Sequence, residues 1–93
     1  MTPPFEIVIP DKFKKNFYAD LPNHKKEAFD KAIILLFQNP RHPSLDFKPM
    51  RGYRKPNRIY EASINGGYRC TMDMIDNQLR LRKVGPHDIE NNP

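Results

Sequence analysis

Near the end of the chain stand three closely spaced alternating segments, Arg58 to Ile64, Tyr68 to Ile75 and Gln78 to Val84, joined by Asn65-Gly66-Gly67 and Asp76-Asn77. Apolar and polar residues that alternate between short turns form an antiparallel meander with one buried face. Side chains alternate across a strand, so a one-residue slip in pairing exchanges the two faces, and the faces therefore test the register. A three-residue loop at Asn65-Gly66-Gly67 pairs Ile64 with Tyr68, Ala62 with Cys70 and Tyr60 with Met72. A two-residue loop at Asp76-Asn77 pairs Met74 with Leu79 and Met72 with Leu81, and the two hairpins then agree on one apolar face. The other face carries Glu61, Ser63, Arg69, Thr71, Asp73, Arg80 and Arg82, with Thr71 flanked by Glu61 and Arg82, and with Glu61 and Arg69 diagonal neighbours. Lys83 falls on the core face in this register, so either it snorkels out at the sheet edge or the pairing loosens there.

Upstream, Phe5 to Ile9 is short, apolar and β-rich, a first strand closed by Pro10. Asp11 is placed to cap a short helix with Phe13, Phe17 and Tyr18 on one side. Leu21-Pro22-Asn23 interrupts it, and Asn23 is placed to cap a second helix whose Phe29, Ala32, Ile33, Leu36 and Phe37 recur at helical spacing. Asn39-Pro40 ends that helix, because proline disfavours helical geometry in the residue before it. Residues 40–58 hold four prolines among many Lys and Arg, an extended or looped stretch with a short strand near Leu45 to Lys48. The expectation is one α+β domain over residues 1–93, a helical hairpin packed on a small, mainly antiparallel twisted sheet in the order β-α-α-β-β-β.

A chain of 93 residues has room for one core. Sixteen Lys and Arg against eleven Asp and Glu give a net charge of +5, which favours polyanionic partners. Cys70 is the sole cysteine, so no internal disulfide forms and a reducing, cytoplasmic setting is expected. No signal segment and no membrane span is apparent. Three scattered histidines and one cysteine match no metal-ligand spacing, and Gly66-Gly67 is a turn without the features of a phosphate loop, so no metal and no cofactor is expected. Cys70, opposite Ala62 on the apolar face, is a core residue and a poor nucleophile.

RNA cleavage without a metal needs a base for the 2′-hydroxyl, a cation for the charged phosphorane-like state and an acid for the departing 5′-oxygen. Glu61, Arg69 and His87 supply those three types, provided the Gly85-Pro86-His87 turn folds His87 back toward Arg69. Arg80 and Arg82 are placed to grip neighbouring phosphates. The run Lys48, Arg51, Arg54, Lys55 and Arg58, interleaved with Tyr53, is placed to hold an RNA backbone and stack a base. The competing reading is plainer: a charged strand face is commonly just the solvated side of a two-layer domain, and an exposed Glu–Arg pair there is worth ~0–1 kcal/mol.

The runs HPSLDFKPMRG (42–52), IYEASI (59–64), GYR (67–69) and LRLRKVGPHDI (79–89) resemble the RelE-like branch of the RelE/ParE toxin superfamily. The resemblance covers nearly the whole chain. It implies a toxin of a type II toxin-antitoxin system, a metal-independent mRNA endoribonuclease that acts on the ribosome and is neutralised by a cognate antitoxin. Carried over by position, it implies that Arg69 is the phosphate-binding arginine. Glu61 falls where some members have a general-base glutamate and others a lysine, and His87 where some have arginine and others a catalytic histidine. Asp88 departs from the pattern, since some histidine-type toxins carry a tyrosine there, and the run ends at Pro93 without a further helix. Both departures leave open a reduced activity, a different substrate geometry or loss of cleavage. Two other readings stay open: a ParE-like poison of DNA gyrase, and a noncatalytic member that binds only its antitoxin or RNA.

Overall fold

The computed structural model describes residues 5–52 and 58–93. Three strands, β3 (Ile59–Asn65), β4 (Tyr68–Ile75) and β5 (Gln78–Pro86), form the antiparallel meander, and β1 (Glu6–Val8) and β2 (Lys48–Pro49) complete a five-stranded sheet of order β1-β5-β4-β3-β2. β1 runs parallel to β5, with Ile7 opposite Leu79. The helices α1 (Asp11–Asn16) and α2 (Asn23–Gln38) cover one face. Their Phe13, Phe29, Ala32 and Leu36 meet Ala62, Cys70, Met72, Leu79, Leu81 and Val84 in the core. The α+β architecture and its order of elements match the sequence expectation, with the segment near Lys48 pairing as the fifth strand.

Several local expectations are corrected. Neither Asp11 nor Asn23 caps a helix: Pro10 and Pro22 hold the N-cap positions, their carbonyls accepting from the amides of Lys14 and Lys26. Asp11 instead lies in the first turn, where a negative charge complements the helix dipole. α1 stops at Asn16, and Tyr18–Asp20 continues as a 3-10 turn. Phe37, expected in the core, is 55% exposed at the outer end of α2, with its ring centroid 5.7 Å from that of Phe5. The expected strand from Leu45 is a 3-10 helix at Pro43–Leu45 followed by the two-residue β2.

The two hairpins keep the expected faces by different means. Gly66 and Gly67 both have positive φ (47° and 85°) and form a two-residue loop that pairs Asn65 with Tyr68, not Ile64 with Tyr68. Such a turn suits the strand twist, and the extra residue is absorbed by a register shift between Ser63 and Asn65, so Ala62 still meets Cys70 and Tyr60 still meets Met72. A second shift lies between Thr71 and Met72: Leu81 opposes Met72, whereas Lys83, not Arg82, opposes Thr71. That bulge moves Lys83 off the core face and returns Val84 to it, 3% exposed. The Asp76-Asn77 loop pairs Met74 with Leu79 and Met72 with Leu81 as expected.

Candidate active site

The polar face is not the solvated side of the sheet. Glu61, Thr71 and Asp73 are 4%, 0% and 8% exposed: the chain after β5 returns as a 3-10 helix, His87–Asn91, to the side of Glu61 and Thr71, and Asp73 lies under Arg80 and Arg82. Gly85, opposite Arg69, makes this close return possible: a Cβ there would stand 3.1 Å from Ile89 Cγ2. The segment is fastened at its far end. Lys83 Nζ donates to the main-chain oxygen of Asn92 at 2.6 Å, and Arg82 Nε (3.1 Å) and Thr71 Oγ1 (3.3 Å) donate to that of Pro93. The charged residues of the face are thereby divided into two groups.

The first group is built around Glu61 and Arg69. Glu61 stands opposite Thr71 and Ser63 opposite Arg69, so the two charged side chains are diagonal neighbours, and Arg69 Nη2 donates to Glu61 Oε1. Both are largely buried, with side chains 12% and 6% exposed. Arg69 Nε has no acceptor among the described residues, so the guanidinium keeps an unused donor. Asp46, held in the left-handed region at φ 45°, directs its carboxylate at Lys48 Nζ (3.1 Å) and Arg69 Nη2 (3.6 Å). Lys48 Nζ is also 3.9 Å from Glu61 Oε1, since Lys48 faces Glu61 across the β2–β3 pair.

Glu90 completes this group. Its carboxyl lines the same groove as that of Glu61, and His87 Nε2 lies 2.7 Å from Glu90 Oε1. Burial, and then the neighbouring Glu90 carboxyl, push the Glu61 carboxyl above its ordinary value, against the opposing pull of Arg69 and Lys48. The hydrogen bond and charge of Lys48 hold Asp46 below its ordinary value. A carboxyl raised above its ordinary value is a stronger base than an ordinary carboxylate, which suits it to taking a proton. Lys48, Arg51, Arg58, Glu61 and Glu90 line an open groove of about 690 Å³.

The second group is a structural tie. Asp73 Oδ1 accepts from Arg80 Nε at 2.8 Å, while Asp73 Oδ2 accepts from Arg80 Nη2 at 3.3 Å and from Arg82 Nη1 at 3.0 Å. Arg80 and Arg82 thus spend donors on one carboxylate and on the oxygen of Pro93, with their side chains still 44% and 43% exposed.

Among the residues singled out from sequence, Glu61, Arg69, Lys48 and Arg51 fall in the first group or its groove. His87 reaches it through Glu90, with its own side chain 76% exposed. Arg80 and Arg82 fall in the second group. Arg54 and Lys55, with Tyr53, lie outside the described residues. Arg58 packs its guanidinium 5.9 Å from the Tyr60 ring. Burial pushes the Cys70 thiol well above its ordinary range, in keeping with its place in the core. Asp46 and Glu90 were not found from sequence. The His87-x-x-Glu90 spacing of one helical turn was the only available signal for Glu90, and Asp46 had none, because its aim depends on a left-handed backbone.

Among the described residues, no group of three or more His, Cys, Asp or Glu side chains is arranged to hold a metal ion, and no helix is long and apolar enough to cross a membrane. No family model and no curated protein sequence matches the chain. Solved structures do match its fold. The archaeal RelE–RelB complex from Pyrococcus horikoshii superposes with a TM-score of 0.65 at 20% identity, over 89% of this chain and 94% of that one. The RelB–RelE antitoxin-toxin complex from Methanococcus jannaschii gives 0.66 at 20% identity, over 92% and 99%. YafQ from Escherichia coli gives 0.67 at 16% identity, over 90% and 94%. The chain therefore has the RelE-like toxin fold, two helices on a five-stranded mixed sheet, carried by a sequence only 16–20% identical to those of these structures.

Proposed function

We propose that this protein is the toxin of a toxin-antitoxin pair, a metal-independent endoribonuclease that cleaves mRNA on the ribosome in the cytoplasm. The observation that carries the reading is the buried Glu61–Arg69 pair at the edge of a groove lined by Lys48, Arg51 and Arg58. In this reading Glu61 takes the proton of the 2′-hydroxyl, and the guanidinium of Arg69 stabilises the charge that grows on the phosphate. His87, freed from Glu90, returns a proton to the departing 5′-oxygen. Lys48 and Arg51 hold the neighbouring backbone, joined by Arg54 and Lys55 and, farther along the face, by Arg80 and Arg82. The solved RelE and YafQ structures include complexes with the antitoxins RelB and DinJ, which supports a cognate antitoxin as partner.

The test is growth after induced expression of wild type and Arg69→Ala, with primer extension on a reporter mRNA. Arrest with discrete cuts, both lost in the variant, is the expected result. Arrest without cuts would overturn the nuclease reading in favour of a gyrase poison, and absence of arrest would favour a noncatalytic binder.

A further inference from the structure

Glu90 occupies an unusual place for a carboxylate. It stands between the two groups assigned proton transfer, lining the same groove as Glu61 on one side and 2.7 Å from His87 Nε2 on the other. It also lines the groove whose other charged walls are Lys48, Arg51 and Arg58. A phosphate that entered this groove between Glu61 and His87 would meet a carboxylate already there, of like charge and paired with His87. The carboxyl pair also costs something at rest, since two carboxyls this close need a shared proton or a nearby cation. Arg69 from β4 and Lys48 from β2 provide that cation.

We propose that Glu90 is a built-in plug of the candidate site, an internal stand-in for the substrate phosphate that must swing out before RNA can bind. The proposal rests on reading this groove as an RNA site. The carrier of the plug is a single five-residue 3-10 helix, laid against Gly85 and tied beyond its end by Lys83, Arg82 and Thr71 to main-chain oxygens. An element of this size, held by a few tethers, can open locally without unfolding the sheet. When Glu90 leaves, His87 loses its partner at the same moment, so plug removal and release of the acid are one event.

The experiment compares wild type, Glu90→Gln and Glu90→Ala for binding of a fluorescein-labelled 2′-O-methyl RNA oligonucleotide, which cannot be cut, by fluorescence anisotropy. Thermal melts of the same samples establish that each is folded. Removal of the plug is expected to tighten binding about fivefold or more, the scale of one relieved like-charge contact near a surface, with Ala at least as tight as Gln. Unchanged or weaker binding in both folded variants would overturn the proposal, and Glu90 would then be only a support for His87. Cleavage of unmodified mRNA on ribosomes, run in parallel, separates this idea from the nuclease reading. Tighter binding with no cleavage by any variant retains the plug and removes the nuclease, whereas cleavage by wild type with no gain in binding does the reverse.

Discussion

Two arginine–carboxylate groups lie on one face of this sheet, and they solve the problem of buried charge in opposite ways. At Asp73 one carboxylate accepts from two arginines, whose half-exposed heads can also reach water. At Glu61 one largely buried arginine serves a site with three carboxylates nearby, Glu61, Asp46 and Glu90. The first arrangement is neutralised with cation to spare and ties β4 to β5 beside a bulge. The second is short of positive charge, keeps an unused arginine donor and raises the carboxyl that stands in it. Surplus cation gives a brace, and a deficit gives a site whose protons and anions can be exchanged.

Removal of each central charge is the sharpest way to break this contrast. Arg69→Ala is expected to have the largest effect, lowering mRNA cleavage ~10²–10³-fold, as for loss of one preorganised oxyanion donor. It also leaves Glu61 and Asp46 without their shared guanidinium, for a loss of about 3 kcal/mol in urea unfolding. Glu61→Gln comes next, with cleavage reduced ~10²-fold or more for loss of the base, but with the opposite effect on stability. Because its folded pKa is raised, Glu61 stabilises the fold fully only below the ordinary carboxylate value, and that contribution is lost as pH rises through the folded value. The variant should therefore melt at or above the wild-type temperature at pH 7, with the advantage fading as pH falls toward 4.

Smaller effects sharpen the other side of the contrast. Asp73→Ala leaves Arg80 and Arg82 without their common acceptor and is expected to cost about 1–2 kcal/mol in unfolding while cleavage falls less than about tenfold. Such a change would be read as a lost brace, and a cleavage loss equal to that of Arg69→Ala would erase the distinction between the groups. Arg80→Ala is expected to cost at most ~1 kcal/mol in stability and to weaken RNA binding about threefold with a shallower salt dependence. Asp46→Asn should have the smallest effect. Its lowered pKa means that any stability it gives is present at neutral pH and lost as pH falls, so wild-type and variant melts should converge in acid.

The legible part of the site was the part governed by strand alternation. Glu61 and Arg69 could be placed as diagonal neighbours from the hairpin alone, because the pairings of Ala62 with Cys70 and Tyr60 with Met72 follow from which residues must be buried. The bulges were hidden, since the apolar pattern is the same whether an extra residue sits in the loop or in the strand. For Lys83 this mattered: alternation placed it in the core, and the bulge beside Thr71 moved it out.

The sequence by itself determined the sheet order of the meander, its apolar face and the identity of the charges on the other face, all set by local periodicity and turn chemistry. Only the tertiary structure decided that Glu61, Thr71 and Asp73 on this second face are buried and which of its arginines are spent. Those outcomes depend on the return of His87–Asn91 across the sheet, on the left-handed backbone at Asp46 and on the three bonds to Asn92 and Pro93. The physical reason is range: alternation couples neighbours two residues apart, whereas the balance of charge around Glu61 is set by groups brought together from four separate stretches of chain, at Asp46–Lys48, Glu61, Arg69 and His87–Glu90.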